Sequence, residues 1–180
     1  MIRGSAMLLA LLPAAPAAMA QRAEMSPAVA ARLTALPNML AGLTRDDGDT
    51  SGYRGPMVAY RGRDAAGPVI AVVLADARLR MNWPDMAENG RAGARRAGLV
   101  DTLFEGKFSL DGHPLGRHFF GDYLTLRGIK QSWIAEIDGV RITIFATIYR
   151  AEDRRRVFDA IRRDLLGGIT MERVSTAEAN

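Results

Sequence analysis

The stretch QSWIAEIDGVRITIFATIY, Gln131–Tyr149, decides the fold. Two runs rich in β-branched and aromatic residues flank Asp138-Gly139, a dipeptide that readily supplies the positive φ angles of a two-residue hairpin turn. The pattern predicts antiparallel strands over Gln131–Ile137 and Val140–Tyr149. Side chains alternate along a strand, so Ile142, Ile144, Ala146 and Ile148 share one face, and Arg141, Thr143, Phe145, Thr147 and Tyr149 the other. The first face reads as core. The second is a mixed aromatic and hydroxyl surface, which makes Phe145 and Tyr149 ligand-binding candidates.

Working outward, Lys107–Leu110, Gly116–Phe120 and Tyr123–Arg127 read as short strands, with turns at Asp111-Gly112 and Gly121-Asp122. Glu152–Leu166 carries a helical stripe of Val157, Phe158, Ile161 and Leu165, with Gly167 just past its end. Towards the N-terminus, Ser26-Pro27 caps and starts a short helix that Pro37 stops. Leu40–Arg45 and Met57–Arg61 follow as strands. Pro68–Ala75, PVIAVVLA, is apolar at odd and even positions alike, which predicts a central strand covered on both faces. Asn82-Trp83-Pro84-Asp85 announces a second helix, with Met86, Gly90, Gly93, Ala97, Val100 and Phe104 along one face. The expectation is an α+β class, with a mainly antiparallel sheet flanked by helices. It forms a single domain over residues 21–168, followed by a flexible tail, 169–180.

This layout resembles the Mog1/PsbP-like α-β-α sandwich. The segments LPNMLAGLTR (Leu36–Arg45), GYRGPMVAYR (Gly52–Arg61) and PVIAVVLAD (Pro68–Asp76) look like those of small exported bacterial domains of that shape. The resemblance implies the fold alone. No functional motif of the Ran-binding or photosystem members is present, so no site residue carries over.

Residues Met1–Ala20 have the grammar of a secretory signal peptide: Arg3, a short apolar run over Ala6–Leu12, and Ala18-Met19-Ala20 as the cleavage site. The expectation is a periplasmic or secreted protein cut after Ala20, with no transmembrane segment left once the signal is removed. The 180-residue chain has 24 Lys+Arg, 20 Asp+Glu, two His and no Cys. The absence of Cys excludes disulfide scaffolds, thiol nucleophiles and iron–sulfur clusters, and suits an oxidising compartment. Only Lys107 and Lys130 are lysines, so the basic excess is mostly arginine, interspersed with acids rather than gathered in an arm. Nucleic acid is not an expected partner; a small ligand or an envelope protein is. Oligomeric state is not legible.

Candidate chemistry gathers in DGHPLGRHFFGDY, Asp111–Tyr123. His113, His118, Asp111 and Asp122 are the catalytic candidates, for acid–base use of an imidazole beside a carboxylate. The competing reading is of surface or half-buried strand histidines. Ser109 precedes Asp111 and His113 but lies outside any G-x-S-x-G elbow. Two His and two carboxylates at this spacing do not make a zinc site, and Asp46–Gly52 lacks calcium-loop spacing, so no metal or cofactor is expected. Trp83, Arg91 and Arg95 on the second helix are further ligand-binding candidates, an anion or carbohydrate platform against a solvated helix face. Three functional readings follow: a non-catalytic binding or accessory domain of the cell envelope, a small hydrolase-like enzyme using Asp111–Tyr123, or an envelope-surface protein binding anionic lipid or polysaccharide.

Overall fold

A computed structural model describes residues 25–47, 55–78, 81–111 and 113–173, with the backbone alone for 113–117 and 172–173. The expected signal peptide and cleavage site, most of the Asp46–Gly52 loop, Gly112 and the residues beyond Arg173 lie outside the described residues, as do the side chains of His113 and Arg117.

Among the described residues nine strands form one antiparallel sheet: β1 (Met39–Leu40), β2 (Leu43–Asp46), β3 (Met57–Arg61), β4 (Val69–Asp76), β5 (Leu99–Leu110), β6 (His113–Thr125), β7 (Gly128–Ile137), β8 (Val140–Ile148) and β9 (Ile169–Arg173). Their spatial order is β1-β2-β3-β4-β8-β7-β6-β5-β9. Helix α1 (Pro27–Ala35) precedes the sheet, α2 (Trp83–Arg96) joins β4 to β5, and α3 (Asp153–Ala160) runs on as a π-helical turn, Ile161–Leu165. The α+β class with a mainly antiparallel sheet is therefore what the chain adopts.

The predicted hairpin is present, with Asp138 and Gly139 at φ of 51° and 77° and Ile137 paired with Val140. A second two-residue turn divides the expected Leu40–Arg45 strand, with Ala41 and Gly42 at φ of 52° and 74°. Alanine seldom adopts this conformation, so composition gives no warning of the turn.

Three expectations change. Helix α2 ends at Arg96, where Ala97 caps it and Gly98 turns with φ 78°; Val100 and Phe104 belong to β5 instead. Residues 113–125 form one continuous strand with no turn at Gly121-Asp122, because Gly121 and Asp122 pair in register with Ser132 and Gln131. Ile169–Arg173, expected in the tail, is β9, paired with Gly106–Leu110 of β5.

The sheet buries two different faces. On one, α1 and α3 cover Tyr60, Ile70, Val72, Leu74, Ile142, Ile144 and an aromatic group. In that group Trp133 packs on Phe120, Phe108 and Phe158, with centroids 4.0, 5.6 and 5.1 Å away. Ser26 caps α1, accepting from the Val29 N–H, while its hydroxyl donates to Asp76 at the end of β4. On the other face, α2 lays Met86, Ala87 and Ala94 on Phe119, Tyr123 and Ile134.

Candidate functional site

The catalytic candidates separate in space. His118 faces the α1–α3 side, buried with its ring 5.1 Å from that of Phe108, and its Nδ1 accepts the Glu136 N–H at 3.2 Å. Asp122 is buried on the same side, four residues along β6, and takes Arg154 of α3 at 2.5 Å. Phe120 stands between the two, so roughly 13 Å of strand keeps imidazole and carboxylate apart. Burial pushes the Asp122 carboxyl above its ordinary range, and Arg154 pulls it back only in part. Asp111 lies exposed at the end of β5, its carboxylate against Gly168. Ser109 adjoins Phe108 on β5 and so faces away from the His118 ring.

The platform of Trp83, Arg91 and Arg95 is taken apart by local partners. Trp83 opens α2 and packs edge-on against Phe119 at 5.9 Å, with Lys107 over its ring. Arg95, twelve residues on, is about 18 Å further along the helix axis and is clasped by Glu88 at 2.6 Å. Arg91 is held by both oxygens of Glu105, at 2.7 and 2.5 Å. The Tyr123 hydroxyl donates to the same carboxylate at 2.7 Å. Burial, then the Glu105 hydrogen bond, pushes the Tyr123 hydroxyl far above its usual range, so it stays protonated. This Arg91–Glu105–Tyr123 lock is not legible in the sequence, because the expected helical face continues to Phe104 and gives no sign of the β5–β6 pairing that brings Glu105 to Tyr123. It fastens α2 to β5 and β6. Among the described residues no group of three or more His, Asp or Glu side chains is placed to hold a metal ion.

What the fold leaves open lies beside α2. The helix crosses β5, β6 and β7, and none of the described helices covers the same face of β3, β4 and β8. Register brings Met57, Val73 and Thr143 into one row, Ala59, Ala71 and Phe145 into the next, and Val69 and Thr147 into a third. Apart from buried Ala59, these side chains are half-buried, while the alternate residues Ile70, Val72 and Leu74 are fully buried beneath. The result is an apolar and hydroxyl shelf. Its wall is the flank of α2, where the position a β-carbon would take at Gly93 is 3.9 Å from the Phe145 ring. The expectation that β4 is central holds; against the expectation that it is covered on both faces, no helix among the described residues lies over the second face, which is the shelf. Of the two aromatic candidates, Phe145 lies on the shelf and Tyr149 is exposed just past the end of β8.

Charges mark the two ends of this surface. At one end Arg141 is neutralised by Glu136 at 2.6 Å. At the other, Lys130 of β7 pairs in register with Thr147, and its ammonium donates to the Thr147 hydroxyl.

No protein-family model, no curated protein and no solved structure matches the chain. No helix among the described residues is long and apolar enough to cross a membrane.

Proposed function

We propose that the chain is an exported, non-catalytic binding or accessory domain of the bacterial cell envelope, and that it binds through the shelf on β3, β4 and β8. The observation that carries this reading is the mismatch on β4. Val69, Ala71 and Val73 make its second face as apolar as a core face, yet no described helix lies over it. An apolar surface of this kind, beside a helix wall and edged with hydroxyls, suits an apolar ligand or partner segment. The dispersal of His118, Asp122 and Ser109 favours binding over hydrolysis. The N-terminal stretch with its Ala18-Met19-Ala20 motif supports export. The resemblance to the Mog1/PsbP-like sandwich belongs to the same proposal, supported by helices on both faces of the sheet.

The test uses protein recovered from the periplasmic fraction of a bacterial host and the neutral fluorescent probe N-phenyl-1-naphthylamine. The expected chain starts at Gln21 and binds the probe saturably. Val73→Glu, which places a charge on the shelf, should remove binding while leaving the thermal transition within a few degrees. A cytoplasmic, uncleaved product would overturn export. Probe binding that is absent, or unaltered by Val73→Glu, would overturn the shelf as the binding surface.

A further inference from the structure

Lys130 is the one feature of the shelf that the binding reading leaves unexplained. Lysine is costly to bury, even by half, unless an anion compensates it. Here the ammonium has only the Thr147 hydroxyl: among the described residues it forms no ion pair, and neither does the neighbouring Arg127. Burial first, and the Arg127 charge second, push the Lys130 ammonium below its ordinary range. Both causes mark a place where positive charge is under-compensated.

The contrast with the other cations around the sheet is direct. Arg141 has Glu136, Arg61 has Asp46, Arg91 has Glu105 and Arg150 has Asp64. The shelf is thus neutralised at its Arg141 end and electropositive at its Lys130 end. Between them lie Val73, Thr143, Ala71, Phe145, Val69 and Thr147, three strand rows deep. Successive rows on one face are about 7 Å apart, so the apolar floor is roughly 14 Å long. That length suits a chain of about ten carbons.

We propose that the shelf binds a single-chain amphipathic anion, its apolar body along β4 and β8 and its anionic head on Lys130 and Arg127. This rests on the shelf being the binding surface and adds the chemical class and the orientation of the ligand. The head-group contact is a charge-assisted hydrogen bond from the Lys130 ammonium. The Thr147 hydroxyl, released from accepting that ammonium's only bond, is placed to donate to the same anion. Arg127 adds a second, more exposed charge.

The experiment displaces N-phenyl-1-naphthylamine with ten-carbon competitors below their micellar range: decanoate, decyl phosphate, decanol and decyltrimethylammonium. Decanoate or decyl phosphate should displace the probe at concentrations about tenfold lower than decanol, and decyltrimethylammonium should be weakest. The order of the two anions distinguishes a carboxylate ligand from a phosphate one. Lys130→Met keeps the length of the side chain and removes the charge; it should retain probe binding and abolish the tenfold preference. Raising the salt concentration should weaken decanoate and leave decanol unchanged. Equal potency of decanoate and decanol, or a preference that survives Lys130→Met, would overturn the anion assignment while the probe still reports on the shelf. Loss of probe binding in the unaltered protein would instead overturn the shelf itself.

Discussion

The carboxylate at position 122 is subject to two opposing demands. Its place beneath α3 buries it, which favours the protonated acid; Arg154, and a hydrogen bond from its cross-strand neighbour Gln131, favour the anion. Burial is the larger influence, so the pKa in the fold lies above that in the unfolded chain. The sign follows from linkage: the folded state holds the proton more tightly, so this group stabilises most below its unfolded pKa, and that contribution is lost as pH rises through its folded pKa. Relative to Asp122→Asn, the unaltered protein should gain stability as pH falls from 7 towards 4. Urea midpoints of the two proteins at several pH values check this. A difference that is flat with pH, or that moves the other way, would mean that Arg154 outweighs burial. At this scale, nearness along the chain suggested associations that the fold does not make. His118 and Asp122 attracted attention by nearness along the chain, which on an extended strand becomes distance. Glu105 and Tyr123, eighteen residues apart, are in contact because β5 and β6 are adjacent.

Helix α2 shows how glycine can have opposite meanings three residues apart. A β-carbon at Gly90 would overlap the Phe119 ring, a fully buried side chain that cannot yield. At Gly93 the nearest contact is an ordinary 3.9 Å to Phe145. Gly90→Ala should therefore destabilise by about 1–3 kcal/mol through overpacking. Gly93→Ala should stabilise by up to about 1 kcal/mol, because alanine restricts the unfolded chain and favours helix. Urea denaturation of both variants decides it, and two changes of the same sign would contradict the packing of α2 on β6. The helix start was legible from Asn82, whose side chain accepts the Asp85 N–H at 2.8 Å. The end was not. The spacing of Ala97, Val100 and Phe104 continues the helical stripe by coincidence, and Gly98 stops it by adopting φ 78° and bonding its carbonyl to the Leu126 N–H. Likewise the glycine in Gly121-Asp122 reads as a turn signal but serves close packing: a β-carbon there would overlap the Tyr123 side chain.

Taken as a whole, the molecule is a sheet whose two edges are built differently. One edge is the two-residue β1; the other is β9, which pairs with Gly106–Leu110 of β5 and buries Ile169. A chain ending at Gly168 loses that strand, about 2 kcal/mol of apolar burial at Ile169, and the hydrogen-bond partners of β5. It should unfold at lower urea and self-associate in size-exclusion chromatography, whereas a chain ending at Arg173 should keep both the stability and the monodispersity of the parent. Equal behaviour of the two truncations would show that β9 contributes nothing.

The sequence by itself determined the local and the periodic: the Asp138-Gly139 hairpin, the helix caps at Ser26 and Asn82, the alternation of β8 and the central place of β4. These depend on residues within a few positions of one another, where φ preference and side-chain direction act directly. Tertiary structure alone decided which half of the sheet α2 covers, and therefore that the second face of β4 is a shelf. It also decided that Arg91 and Arg95 have anionic partners and that Lys130, among the described residues, has only a hydroxyl. Those facts depend on strand order and on where a helix lands after a crossover. An apolar pattern specifies that a face avoids water, but it does not specify what covers it.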